Sequence, residues 1–205
     1  MHQSVQPWSG PACRNDPRTF RLQRTPAYDV IVRTSAIVLL VGLLLASGST
    51  APASSSPGPV LSKYGIRFAL PVGWSGHIRA LQGPPPVAVV VQAANFKLPP
   101  CDDDAGTKAR ARMTAQSIFI VILEAGSGDV GFSYPPRTGP VSITRHDFLA
   151  MFEGVPSNHG FARTFFATHR RRFQVWVEFG SKRVSAANLR RANTALAGLR
   201  VSVAR

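Results

Sequence analysis

An unbroken apolar run at residues 36–46 marks a targeting segment at the N-terminus of this 205-residue chain. The run is 11 residues long. Before it, residues 1–33 carry five arginines and show no hydrophobic pattern; after it, residues 47–59 are mostly Ser, Ala, Pro and Gly. A basic segment, a short apolar core and a small-residue tail are typical of a secretory signal peptide. The sequence therefore predicts that the domain following this segment is exported.

Two interpretations of the apolar run stay open. It is short for a membrane span, which needs about 20 apolar residues, and residues 51–53 fit the A-x-A cleavage pattern. An uncleaved anchor would have to extend back to Tyr28 and bury Asp29 and Arg33, which is costly. In either case the positive-inside bias leaves the C-terminal domain outside the cytoplasm. Lipidation is excluded, since Ser49 stands where an acylated cysteine would be.

The chain divides into four segments. These are a basic leader at 1–33, a signal core or membrane anchor at 34–53, a Pro/Ser-rich linker at 54–61 and a folded domain at 62–205. The leader is long for a signal peptide, and a start codon placed too far upstream would explain its length. A composition rich in Pro, Ser, Ala and Gly cannot bury a core, so the linker is expected to be extended.

Within the domain, the apolar residues of some segments repeat with the period of a strand and those of other segments with the period of a helix. Strands are predicted at 64–70, 76–81, 87–91, 117–124, 161–168, 172–179 and 199–203, with the first two forming a hairpin. Helices are predicted at 107–116, from a Thr144–Asp147 cap to Gly154, and at 185–196 with Ser185 as its N-cap. Mostly hairpin-connected strands with interspersed helices predict an α+β domain, in which helices pack on an antiparallel sheet.

Three motifs resemble one family. Residues 65–74 have the form x-I-x-F-x-L-P-x-G-W, residues 171–177 the form R-x-F-x-V-x-V, and residues 193–199 the form N-x-x-L-x-x-L. Over residues 62–203 the chain resembles the PsbP-like superfamily and its relatives among actinobacterial envelope lipoproteins of unknown function. The resemblance implies the fold and a binding or assembly role in preference to an enzymatic one. The chain departs from the lipoprotein relatives by lacking the acylated cysteine.

Two residues are candidate nucleophiles. Ser75 lies in Gly73-Trp-Ser-Gly-His77, which approximates the Gly-x-Ser-x-Gly elbow of hydrolases, but His77 replaces the last glycine and a hairpin replaces the strand–turn–helix. Cys101 is the single cysteine of the exported part; it could be a nucleophile beside a histidine, a link to another chain or an inert thiol. An exported hydrolase using Ser75 or Cys101 is therefore the alternative function.

Metal and cofactor motifs are missing from the sequence. The four histidines of the domain lack metal-binding spacing, and Cys101-Asp-Asp-Asp104 lacks the spacing of a calcium loop. The segment 126–131 matches G-x-G-x-x-G, but no helical pattern follows it, so it does not form a phosphate-binding turn. The sequence predicts neither a metal nor a cofactor.

Basic charge is the strongest positive signal. From Ser54 onward 19 Lys/Arg face 8 Asp/Glu, which favours an anionic partner, although arginine-rich composition can also follow from genomic base composition. The predicted anion-binding patch consists of Arg170, Arg171, Arg172, Lys182 and Arg183. The Arg170–Arg172 tip and the 126–140 loop are the expected contact regions.

Taken with export, the basic charge predicts a non-enzymatic cell-envelope binding or assembly protein. Its partner would be an envelope protein or an anionic lipid or polymer; nucleic acid is an improbable partner outside the membrane. A third possibility is a structural protein without a soluble ligand, held by its N-terminal segment.

Overall fold

The computed structural model describes residues 58–80, 87–103, 105–125 and 131–203. The chain forms two compact units, Met1–Ser54 and Ser55–Arg205, and all the described residues belong to the second. The predicted leader at 1–33 and the signal core or anchor at 34–53 lie outside the described residues. Within the described ranges no helix is long and apolar enough to cross a membrane.

Within these described ranges, nine strands form two antiparallel sheets. The small sheet has the order β1-β2-β9, and the large sheet has the order β3-β4-β5-β8-β7-β6. The strands are β1 (Val60–Lys63), β2 (Ile66–Ala69), β3 (Ser75–Ala80), β4 (Val87–Ala94), β5 (Ile118–Ala125), β6 (Phe148–Leu149), β7 (Gly160–Thr168), β8 (Arg171–Phe179) and β9 (Leu199–Val201). The helices are α1 (Thr107–Arg110), α2 (Ala186–Leu196) and a 3₁₀ turn at Arg145–Asp147.

The predicted α+β class is wrong. The described part of the chain is mostly antiparallel β-sheet, and α2 is its one helix of substantial length. Helix α1 has a single turn of four residues in place of the predicted helix at 107–116. Since only α2 supplies an amphipathic helical face, the core is formed mainly between the two sheets.

The helix predicted after Thr144 is also absent from the described structure. The cap forms as predicted, because the Thr144 backbone N–H donates to Asp147 Oδ2 at 2.6 Å. The chain then leaves the 3₁₀ turn and pairs β6 with β7. Phe148 stacks on Phe179, whereas Phe152 stacks on Phe161 on the other face of the large sheet. A continuous helix would place residues four apart on one face, so two-sided aromatic packing excludes it.

The first predicted hairpin is wrong as well. Strand β2 pairs with β1 and β9, whereas β3 pairs with β4 in the other sheet. The chain turns between them at Pro71–Trp74, where the Trp74 N–H donates to the Pro71 carbonyl at 3.2 Å. Strand β1 lies partly in the stretch predicted as linker, where Leu61 packs against the core.

The main core lies between the small sheet, one face of the large sheet and α2. Its members come from alternate positions of the strands, as period-2 patterning requires. The largest of its fully buried side chains are Ile66, Phe68, Ile118, Ile120, Ile122, Ile143, Phe173, Phe179 and Leu196. A second cluster, around Phe119 and Val121, covers the other face of the large sheet.

Helix α2 and the glycine that follows it fix the position of β9. The Ser185 hydroxyl accepts from the Asn188 N–H, which confirms the predicted N-cap. Gly198 joins α2 to β9 where a Cβ atom would overlap the Ala69 carbonyl oxygen, so only glycine fits. Strand β9 is thereby held against β2 at the end of the domain that carries the β7–β8 turn.

Candidate functional site

Two arginines and a histidine from separate segments line one cavity of about 310 Å³. Arg137 comes from the loop before the 3₁₀ turn, His169 from the β7–β8 turn and Arg200 from β9. Phe166, which is buried, contributes an apolar wall. We call this feature the basic cavity, defined by Arg137, His169, Arg200 and Phe166. Converging cationic groups over an apolar surface make it suited to an anion with an organic substituent.

The loop that carries Arg137 is held at both ends. At one end it runs parallel to β7, with the Ala167 N–H donating to the Pro135 carbonyl and the Arg137 N–H donating to the Ala167 carbonyl, both at 2.9 Å. At the other end the Asn193 side chain donates to the Ile143 carbonyl and accepts from the Ile143 N–H, also at 2.9 Å. The loop wall of the cavity is therefore fixed before a ligand arrives.

The backbone of the residues just before it orients the Arg200 side chain. Its Nη1 donates to the carbonyl oxygens of Ala197 and Leu199 at 2.7 Å. Arg137 is held in the same way, since its Nη1 donates to the Pro140 carbonyl at 2.9 Å. A guanidinium has five N–H donors, and the hydrogen bonds that these two arginines make to described residues use Nη1 alone. The remaining donors are available to an anion.

The β7–β8 turn that presents His169 is strained. Thr168 pairs with Arg171, so His169 and Arg170 form a two-residue loop with φ of 50° and 60°. Such type I′ turns favour Asn or Gly, because other residues clash in the left-handed region. The β1–β2 turn has the same form but places Gly65 at its second position. The turn thus keeps Arg170, next to a lining residue of the cavity, in a left-handed conformation where the β1–β2 turn has glycine.

The predicted patch residues of the hairpin do not share one surface. Arg170 is exposed at the turn. Arg171 is buried, and its Nε and Nη2 donate to the two carboxylate oxygens of Glu124 at 2.6 and 2.7 Å. Arg172 is half-buried with its guanidinium over the Tyr134 ring, on the other face of the large sheet. Of these three arginines, Arg170 is the one that projects beside the basic cavity.

Lys182 and Arg183 are exposed at the other end of β8. That strand has nine residues, and a rise of about 3.3 Å per residue separates its ends by about 25 to 30 Å. A single anionic group cannot contact Lys182 or Arg183 and the hairpin turn at once. Arg200 could not be predicted from the sequence, because only the long-range pairing of β2 with β9 places it beside the turn.

The acidic side chains are mostly engaged within the fold. Of those that the structure describes, five accept charged or backbone hydrogen bonds: Asp102, Asp103, Glu124, Asp147 and Glu178. Glu178, for example, is buried between Arg110 Nε at 2.6 Å and His159 Nδ1 at 2.7 Å. Burial opposes ionisation of Asp103, but bonds from the side chain and backbone of Thr107 and from Gly106 lower its pKa. Among the described carboxylates Glu153 alone lacks such a bond, so most of the surface arginines have no matching carboxylate there.

The two candidate nucleophiles have other contacts. The Ser75 hydroxyl donates to the Phe96 carbonyl at 2.6 Å and accepts from the Leu98 N–H at 2.9 Å. Cys101 is disulfide-bonded in the full chain, so the unpaired thiol expected in the exported part stays a prediction. His77 lies 2.8 Å from Gln92 Oε1, through its Nε2. Within the described ranges no three His, Cys, Asp or Glu side chains are grouped closely enough to hold a metal ion.

The pKa of His77 is lowered. Burial has the largest effect; the hydrogen bond with Gln92 opposes it, Arg79 lowers the pKa further, and Asp102 opposes again. The imidazole is therefore held in its neutral form as a hydrogen-bonding partner of Gln92.

Comparisons with protein-family models, curated proteins and solved structures find no match to this chain. Its function must be argued from its own residues.

Proposed function

We propose that this protein is an exported, non-enzymatic binding or assembly protein of the cell envelope that holds an anionic partner at the basic cavity. The observation that carries the proposal is the convergence of Arg137, His169 and Arg200, from three chain segments, on one cavity. Fixed cationic groups attract anions over long range and orient them at contact.

The charge balance around the cavity supports this proposal. A surface arginine is normally neutralised in part by nearby carboxylates, but no ion pair in the described structure involves Arg137 or Arg200. Both retain guanidinium donors that the fold does not use. An anionic group entering the cavity would therefore gain charge-assisted hydrogen bonds without displacing an internal carboxylate.

The contacts of Ser75 weigh against its role as the nucleophile of an exported hydrolase. A serine nucleophile needs a base within hydrogen-bond distance of its Oγ, whereas the Ser75 hydroxyl is bonded to the backbone of Phe96 and Leu98. Binding is thus the better-supported role.

The export part of the proposal rests on the apolar run at 36–46 and on its basic leader. Fractionation of cells that express the full chain, with mass analysis of its N-terminus, separates a cleaved signal from an uncleaved anchor. A product that stays in the cytoplasm with its N-terminus intact would contradict export.

Co-sedimentation of the purified full chain with vesicles tests the binding part. Vesicles of phosphatidylcholine alone are compared with vesicles that also contain phosphatidic acid and phosphatidylglycerol. We expect binding to the anionic vesicles only, and loss of that binding in about 1 M salt, where the screening length falls to about 3 Å.

A matched pair of variants locates the site. The variant R137S/R200S removes two charges at the basic cavity, and R190S/R191S removes two exposed charges on α2. With about 1 kcal/mol per arginine at an anionic surface, R137S/R200S should bind roughly 30-fold more weakly, while the control keeps most of its affinity. Equal loss in both variants would show that only net charge matters and would contradict a site at the cavity.

A further inference from the structure

We infer that the group recognised by the basic cavity is a phosphate monoester. This rests on the proposed function and names the chemistry of its ligand. The three donors come from three chain segments: the Arg137 loop, the β7–β8 turn at His169 and the middle of β9 at Arg200. A phosphate monoester presents three terminal oxygens in a tetrahedral arrangement, one for each segment, whereas a carboxylate presents two oxygens in a plane.

The donor types agree with this assignment. Guanidinium groups match phosphate oxygens with paired N–H donors, and they keep their charge at all physiological pH values. Arg137 and Arg200 are held at Nη1 by backbone carbonyls, so little side-chain freedom is lost when an anion binds. The described carboxylates do not pair with the two arginines of the cavity. A doubly charged phosphate monoester therefore matches the cavity better than a singly charged anion.

The dimensions of the cavity limit what can enter. Its volume of about 310 Å³ is at the lower end of the range for small-molecule sites. A phosphate with a small organic substituent fills such a space, with the substituent against the small part of Phe166 that lines the cavity. A folded protein or a polymer could contribute at most one terminal phosphate to it.

The strained turn is an independent observation for the same site. His169 and Arg170 keep left-handed φ values of 50° and 60° where Asn and Gly would be relaxed. His169 lines the cavity, and Arg170 is exposed next to it. An imidazole at the first position and a guanidinium beside the cavity at the second provide groups that bind anions, whereas Asn-Gly would leave one neutral amide.

Calorimetric titration of the full chain with phenyl phosphate tests the inference, with benzoate and phenyl sulfate as matched ligands. Benzoate has a planar carboxylate, and phenyl sulfate has three terminal oxygens but one negative charge. We expect phenyl phosphate to bind at least about tenfold more tightly than either. The variant R137S/R200S should lose at least about tenfold of that affinity, and R190S/R191S should keep it.

A second variant covers the case in which R137S/R200S folds poorly. H169N/R170G relaxes the turn, so a loss of phenyl phosphate affinity in this variant cannot be attributed to unfolding. Comparable affinity for benzoate and phenyl phosphate, or unchanged affinity in both variants, would overturn the inference. If the wild type binds anionic vesicles through the cavity but does not bind phenyl phosphate, the proposed function stands and the phosphate assignment fails.

The source of the phosphate is distinguished by two further arms. Phosphatidic acid vesicles present a monoester headgroup, and phosphatidylglycerol vesicles present a diester. Preference for phosphatidic acid, displaced by excess phenyl phosphate, would identify a lipid headgroup in the same cavity. If the protein binds phenyl phosphate but does not prefer either kind of vesicle, the ligand is a soluble phosphate ester instead. If the protein binds both lipids equally and phenyl phosphate does not displace it from them, the inference is overturned.

Discussion

Arg67 of β2 and Arg200 of β9 lie directly opposite each other in the antiparallel ladder of the small sheet. Both side chains are exposed, and no ion pair in the described structure involves either. Like charges at directly opposed positions destabilise a strand pair. The fold thus tolerates repulsion that raises the positive potential beside the basic cavity.

Relieving this repulsion should stabilise the domain. We expect Arg67→Ser to raise the free energy of unfolding by up to about 1 kcal/mol, measured by urea denaturation. Arg112→Ser, which removes an exposed arginine elsewhere, should change it by less than about 0.5 kcal/mol. A destabilised Arg67→Ser variant would show that the two guanidinium groups do not repel each other.

Relaxing the β7–β8 turn should separate stability from binding. We expect H169N/R170G to raise the free energy of unfolding by about 1 to 2 kcal/mol, because Asn and Gly tolerate the left-handed region. The same variant should bind anionic vesicles more weakly, since it loses the imidazole that lines the cavity and the Arg170 guanidinium next to it. A loss of stability would contradict the strain account, and a gain of stability with full binding would contradict the role of the turn side chains.

Breaking the Arg171–Glu124 pair should destabilise the domain. Both side chains are largely buried, with 6% and 14% of their surfaces exposed, so Glu124→Gln leaves an uncompensated guanidinium at a cost of about 3 to 5 kcal/mol. Thermal and urea unfolding measure the effect, and E124L/R171M should recover most of the loss. Wild-type stability in Glu124→Gln would show that the pair is dispensable. Replacement of Arg170, Arg171 and Arg172 together would therefore test stability more than binding.

Acidification should destabilise the domain through His77. Its folded pKa lies below the ordinary value of about 6.5. The unfolded chain then binds a proton at pH values where the folded domain does not, so stability falls as pH drops below about 6.5 toward the folded pKa. Between about pH 7 and pH 5, His77→Gln should lose less unfolding free energy than the wild type. An NMR titration in which His77 has the highest pKa of the histidines would contradict this.

Local features of the fold could be predicted from the sequence, whereas long-range pairings could not. The α2 cap at Ser185 and the β7–β8 hairpin depend on residues close in the chain, and both are present. The pairing of β2 with β9 joins residues more than 130 positions apart, and no local pattern specifies it. That pairing places Arg200 at the cavity, which is why the predicted patch contained Lys182 and Arg183 instead.

The predicted α+β class failed for a related reason. Phe148 and Phe152 fit a helical spacing, but their ring contacts on opposite faces of the large sheet determine the local structure. Tertiary packing thus overrode a short periodic pattern. The resemblance to the PsbP-like superfamily stays a prediction, since it rests on motifs whose residues serve packing.

Mapping the site of anion binding by NMR tests the central claim most directly. Backbone amide shifts of the isotope-labelled full chain are followed while phenyl phosphate is added. We predict that the shifts concentrate at residues 137–141, at His169 and Arg170, and at Arg200. Shifts concentrated at Lys182 and Arg183 or at Arg190 and Arg191, or spread evenly over all exposed arginines, would contradict a defined anion site at the basic cavity.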